Sequence, residues 1–127
     1  VTCIDISPEM NKIAERIKAR AQAKNMSIRT ASGIATGLPT SSQNKVIVLQ
    51  TDLPKTIHWQ PLLNEVKRIL KKESDARFVV SFAARNRKDV QDVLESLDNS
   101  HFKFTALKYA ETGKQEAIIV IARHALF

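Results

Sequence analysis

The sequence predicts an α/β fold on a mostly parallel sheet that ends in an antiparallel hairpin. Three observations point there. Short apolar runs alternate with amphipathic segments of helical period, the pattern of strands joined by crossover helices. Three of the runs, Val1–Ile6, Val46–Leu49 and Phe78–Phe82, show little apolar/polar alternation, as parallel strands covered on both faces do. The last two strand-like runs are joined by the Gly113-Lys114 turn, too short for a crossover, so they must be antiparallel.

The elements follow in order. Val1–Ile6 reads as a buried strand. Ser7 is a good N-cap, Pro8 suits the first helical position, and Glu9 complements the helix dipole. The helix is expected to run to about Asn25, with Met10, Ile13, Ala14, Ile17 and Ala21 as its core face. Met26–Ala31 is a short strand, and Ser32–Asn44 a polar loop. Lys45–Gln50 is a second buried strand. Ile57 to Lys72 reads as a helix with Leu62, Leu63, Val66, Ile69 and Leu70 inward, its start blurred by Pro54 and Pro61. Arg77–Ala83 is a third buried strand. A helix from Asn86 or Arg87 to Leu97 turns Val90, Val93, Leu94 and Leu97 inward. His101–Ala110, with Phe102, Phe104 and Ala106 on one face, pairs with Glu116–Arg123. The three named runs are expected in one sheet, with the hairpin at its edge, and with a gap, a direct pairing or a partner chain's strand between the first two of them.

The length of 127 residues fits a single domain with a real core, and 43% apolar residues is ordinary for a globular chain. No apolar run approaches the ~18 residues of a membrane span. The opening has no basic n-region, so it is not a signal peptide. Cys3 is the only cysteine, which excludes an intrachain disulfide and favours an intracellular home, with the thiol as a buried structural group. The formal charge of +7 favours anionic partners.

Val1-Thr2-Cys3-Ile4-Asp5-Ile6-Ser7-Pro8-Glu9-Met10 resembles the second strand of class I S-adenosylmethionine-dependent methyltransferases. Gly33-Ile34-Ala35-Thr36-Gly37-Leu38-Pro39 resembles the family's segment after its third strand, and Lys45-Val46-Ile47-Val48 its fourth. Trp59 through Leu70 is similar to the helix that follows, and Arg77-Phe78-Val79-Val80-Ser81 to the strand after it. The resemblance covers the whole chain. It is closest to the small-molecule and quinone type, while the Arg-rich start of the helix after Phe82 is similar to the protein-lysine branch.

That resemblance implies a three-layer Rossmann-like methyltransferase sheet that is N-terminally truncated, since the family's first strand and glycine-rich turn would lie upstream of Val1. It implies S-adenosylmethionine as cofactor, held by Asp5, Ile6, Ile34 and Ala35. A carboxylate at a strand end can accept both ribose hydroxyls. Asp5 could equally serve only to cap the next helix. Ile34 stands where the family has an acid that reads the adenine amino group; its backbone N–H remains available to an adenine nitrogen. Lys45 likewise replaces an acid. Without the glycine turn, cofactor binding by this chain alone is expected to be weak or absent. No catalytic residue is assigned. Asp52, in Gln50-Thr51-Asp52-Leu53-Pro54, and His58 are the candidate bases. His101 and His124 are expected to be surface imidazoles, and no spacing suggests a metal site.

The basic residues are patterned. Lys12, Arg16, Arg20 and Lys24 recur every four residues, one stripe along the first helix. Lys67, Arg68, Lys71 and Lys72 cluster near the end of the second, and Arg85, Arg87 and Lys88 follow the third buried run. RNA or an acidic protein is the expected partner, with a partner chain completing the sheet as a further possibility; the other role for such a domain is an inactive basic scaffold.

Overall fold

The computed structural model describes residues 1–49, 59–113 and 115–125. They form two compact units, Val1–Gly37 and Leu38–Phe127.

The first unit is a β-α-β motif: β1 (Thr2–Asp5), α1 (Pro8–Ala21) and β2 (Ser27–Thr30). β1 and β2 are parallel, with Thr2 opposite Ser27 and Asp5 opposite Thr30. The expected start of α1 is met. Ser7 is extended and its Oγ accepts the Met10 N–H at 3.3 Å, while Pro8 opens the first turn. The helix stops at Ala21 rather than Asn25. Gln22 turns left-handed (φ 52°), and the Ala23 N–H bonds back to the Lys18 carbonyl at 3.1 Å. A non-glycine residue in that conformation leaves no mark in the sequence.

The apolar stripe of α1 is not a core face. Met10, Ile13 and Ile17 are exposed, and the buried residue of the helix is Asn11. Two four-residue strands offer too little surface to cover the stripe. β1 is likewise half-buried throughout, not covered on both faces. Cys3 is half-buried with it.

The second unit contains β3 (Lys45–Leu49), α2 (Trp59–Ile69), β4 (Arg77–Ala84), α3 (Arg87–Asn99), β5 (Phe102–Thr112) and β6 (Gln115–His124). Its sheet runs β3-β4-β6-β5. β3 and β4 are parallel; β6 is antiparallel to both β4 and β5. The hairpin is therefore as expected, with Gly113 at φ 57° in its turn and a bulge between Lys108 and Ala110. The described strands make two ladders, the parallel β1-β2 and the mixed β3-β4-β6-β5, so of the arrangements expected where the family's first strand is missing, direct pairing of the first two runs is not observed. β1 and β3 each have a ladder partner along one edge.

The hydrophobic core lies wholly in the second unit. Leu62, Leu63, Val66 and Ile69 from α2 and Val93 and Leu97 from α3 are buried. So are Phe78, Val80, Phe82 and Ala84 of β4 and Ile118, Val120 and Ala122 of β6. Alternate residues point the other way, and β4 reads half-buried, buried throughout. β3 departs most from its expectation: Ile47 and Leu49 are 67% and 76% exposed, while Val46 and Val48 pack on the core. An unbroken apolar run marks a strand with two apolar faces; it does not say that both are covered.

The α2 terminus is closed from the preceding loop. The Ser41 N–H donates to the Arg68 carbonyl at 2.8 Å, and those of Ser42 and Gln43 donate to Ile69 at 2.9 and 2.8 Å. Arg68 locks the same corner, with a bidentate pair to Glu65 (2.7 and 2.8 Å) and a bond to the Leu38 carbonyl at 2.7 Å. The Glu65 carboxylate raises the Arg68 pKa further above its ordinary value, chiefly through that hydrogen bond.

Candidate functional site

All four residues expected to hold a nucleoside, Asp5, Ile6, Ile34 and Ala35, lie in the first unit. The parallel pairing puts the segments that carry them at one edge of the ladder. Asp5 ends β1 opposite Thr30, which ends β2, so the turn into α1 and the loop after β2 leave from the same carboxyl edge. The Asp5 carbonyl accepts the Ala31 N–H at 3.1 Å and Asn11 Nδ2 at 3.1 Å. Asn11 Nδ2 also donates to Thr30 Oγ1 at 2.8 Å, tying both strand ends to the helix. Sequence reading missed this clamp because Asn11 sits inside an apolar stripe. The signal was a polar residue amid Met10, Ile13 and Ala14.

The Asp5 carboxylate is divided. Oδ1 accepts the Ser7 N–H at 2.9 Å, which is the capping role. Oδ2 has no hydrogen bond among the described residues and stays available to a further donor. Ile6 beside it is largely exposed.

The loop after β2 is a tight bend. The Ala35 N–H donates to the Ser32 carbonyl at 3.1 Å, and the Ile34 N–H reaches Ser32 Oγ at 3.3 Å. An adenine nitrogen would therefore compete with the Ser32 hydroxyl for the Ile34 N–H. Arg29 Nη1 donates to the Thr36 carbonyl at 3.1 Å, and Gly37 follows at φ 75°. The positive φ is what calls for glycine; a Cβ there would also lie 3.3 Å from that same Arg29 nitrogen, a close contact with the end of a flexible side chain.

Other candidates fall elsewhere. Asp52, His58 and the rest of 50–58 lie outside the described residues. His124 is not a surface imidazole: it is buried, stacks on Phe102 at 5.8 Å, and its Nε2 lies 3.2 Å from the Leu70 carbonyl. A carbonyl only accepts, so Nε2 carries the proton. His101 is exposed, in a left-handed turn at φ 62°. Lys45 is exposed and donates to Asn44 Oδ1 and the Asp75 carbonyl, both at 2.7 Å. Lys67 donates to the Ser100 carbonyl at 2.9 Å, so it and Arg68 serve the second unit's own structure. Lys12, Arg16 and Arg20 are exposed on α1, while Lys24 lies beyond its end. Among the described residues no group of three His, Cys, Asp or Glu converges as a metal site would.

The backbone matches the cyclase SpnF with a TM-score of 0.82, over 97% of this chain and 66% of that one, at 13% identity. It matches an S-adenosylmethionine-dependent methyltransferase from Aquifex aeolicus at 0.74, over 96% and 67%, at 18% identity. The chain has the fold of class I S-adenosylmethionine-dependent methyltransferases. Geranyl diphosphate C-methyltransferase from Streptomyces coelicolor, solved with S-adenosyl-L-homocysteine, shares it at 0.75, over 96% and 64%, at 10% identity. In each case about a third of the neighbour's chain lies outside the match. No family model matches the sequence, and no curated protein does. The methyltransferase fold also serves a cyclase here, so the fold alone does not fix the reaction.

Proposed function

We propose that this chain is part of an S-adenosylmethionine-binding methyltransferase domain and supplies the side of the site that holds the adenosine. The observation that carries this is Asp5. Its Oδ1 is fixed by the Ser7 N–H while Oδ2 is unengaged, at the carboxyl edge from which the Ser32–Ala35 bend also leaves. A carboxylate held by one oxygen is oriented before a ribose diol arrives, and a charge-assisted bond to a hydroxyl is worth ~1.5–3 kcal/mol. Ile6 and Ile34 offer apolar surface for a purine, and the Ile34 and Ala35 backbone forms the bend against it. When bound, the cofactor supplies an electrophilic methyl group. The residues present fit its nucleoside end; none of the described residues is assigned to the methionine end or to catalysis. An intracellular setting accords with that cofactor and with the single thiol.

Titration calorimetry tests this reading. The 127-residue chain is expected to bind adenosine and S-adenosylhomocysteine with similar, weak affinity, and Asp5→Ala to remove both. Tight binding of S-adenosylhomocysteine with a large advantage over adenosine would show that this chain holds the methionine end too, and would sink the assignment.

RNA is the second partner we propose, on one observation: Lys12, Arg16 and Arg20 are exposed on α1 and in no ion pair among the described residues.

A further inference from the structure

We infer that the nucleoside site in the first unit selects a purine riboside by its sugar and does not read the edge of the base, and that Ser32 is the residue that keeps it so. This rests on the assignment of Asp5 to the ribose and goes further, to which bases the site accepts.

The sugar side is built for one kind of partner. Asp5 ends β1, and its Oδ1 is held by the Ser7 N–H at 2.9 Å. Its backbone is pinned as well. The Asp5 carbonyl accepts Asn11 Nδ2 at 3.1 Å and the Ala31 N–H at 3.1 Å. Asn11 is buried, so water competes little for that contact. The remaining oxygen, Oδ2, is thus a charged acceptor set in place before a ligand arrives. A ribose diol presents two O–H donors, and charged acceptors bind such donors about twice as strongly as neutral ones do.

The base side has the opposite character. The Ala35 N–H is spent on the Ser32 carbonyl at 3.1 Å, and the Ile34 N–H on Ser32 Oγ at 3.3 Å. The bend therefore closes these two donors on itself. Residues 26–44 contain no aspartate or glutamate, so this stretch brings no charged acceptor to an exocyclic amino group. What the two turns expose is apolar: Ile34 is 37% exposed and Ile6 73%. Apolar surface holds a flat ring by area, and adenine and hypoxanthine have nearly the same area. Strong rejection of an isostere requires a polar group that the wrong ligand leaves unpaired. In the bend both N–H groups are already paired. The Ser32 hydroxyl can turn to give a hydrogen bond or to accept one, so it suits a 6-amino and a 6-oxo purine alike.

Ser32 withholds the two donors in different ways, one through its backbone and one through its side chain. Only the second can be removed by substitution. Without the hydroxyl, the Ile34 N–H becomes a fixed donor, and a base with an acceptor at its edge gains a partner.

The test titrates the full chain with adenosine, inosine, benzimidazole riboside and 2′,3′-dideoxyadenosine. Benzimidazole has no polar atom in its six-membered ring. The amide shifts of Asp5, Ser7, Ile34 and Ala35 report the site. Adenosine and inosine are expected to bind within about threefold of each other. Dideoxyadenosine should bind at least about tenfold more weakly than adenosine. In Ser32→Ala, the advantage of adenosine over benzimidazole riboside should grow at least about threefold over that in the parent. Ser32→Gly gives the same reading should Ser32→Ala not fold. A tenfold preference for adenosine over inosine in the parent overturns this inference alone and leaves Asp5 on the ribose. So does an unchanged benzimidazole ratio in the Ser32 variant. Dideoxyadenosine binding as tightly as adenosine, or no nucleoside shifting these amides, overturns the ribose assignment and this inference with it.

Discussion

Trp59 shows how one atom sets a side chain's worth. Its indole Nε1–H is buried with no hydrogen-bond partner among the described residues. A buried donor left unpaired costs ~1–3 kcal/mol. Trp59→Phe removes the donor and keeps an aromatic ring in the core, so the two changes oppose each other. Its net effect on stability is expected to stay within about 1 kcal/mol. Leu63→Ala, at a fully buried position beside it in α2, is expected to cost ~2–5 kcal/mol. Thermal melts compare the two directly. A Trp59→Phe loss as large as that of Leu63→Ala would mean the indole N–H is satisfied after all. Asp5 belongs to the same scale. Asp5→Asn keeps the Oδ1 acceptor for the Ser7 N–H but removes the charge, so it separates the two roles. The α1 cap should survive the change, read as unaltered exchange of the Met10 amide, while adenosine affinity falls. Loss of both together would reduce Asp5 to a capping residue.

At the scale of elements, α1 is the informative one. Its N-terminal signals were legible because capping is local: Ser7, Pro8 and Glu9 act within one turn. Its buried face was not legible, because burial depends on what lies opposite. Ser7→Ala removes the Oγ acceptor of the Met10 N–H and is expected to cost ~1 kcal/mol. We expect that cost to appear as faster amide exchange along α1. The same helix carries the exposed cations Lys12, Arg16 and Arg20. If RNA tracks that face, binding falls steeply with salt, and Arg16→Glu with Arg20→Glu weakens it more than Lys71→Glu with Lys72→Glu. Equal or salt-insensitive binding in both double variants would leave a solvated face. The spacing itself places like charges together at only ~0.2–0.5 kcal/mol per pair, too little to demand a function.

For the molecule as a whole, the two units differ in what holds them. Every fully buried apolar residue is in the second unit, whereas the buried residues of the first are Asn11 and Thr36, both polar. Local stability follows buried apolar contact. Amides of β4 and β6 are therefore expected to exchange only on global unfolding, and those of α1 and β2 through cheaper local opening. Native-state hydrogen exchange across a denaturant series distinguishes them; a single exchange isotherm shared by α1 and β4 would contradict this. A bound adenosine should protect α1 selectively, since the Asp5 and Asn11 contacts join its first turn to both strand ends.

The sequence by itself determined the order of strands and helices, the antiparallel closing hairpin, the start of α1 and the likeness to class I methyltransferases. These rest on information confined to a few neighbours: periodicity, a cap, a turn too short to cross over. Tertiary structure alone decided the rest. Val46–Leu49 and Phe78–Phe82 look alike as strings, yet Leu49 is open where Phe82 is buried, because Phe82 falls on the alternation that faces the core under α2 and α3 and Leu49 on the alternation that faces away from it. His124 became a buried donor because β6 carries it to the Leu70 carbonyl, fifty-four residues away. Apolar character is a property of a side chain, whereas burial is a property of the elements that face it, and only the folded chain says which elements those are.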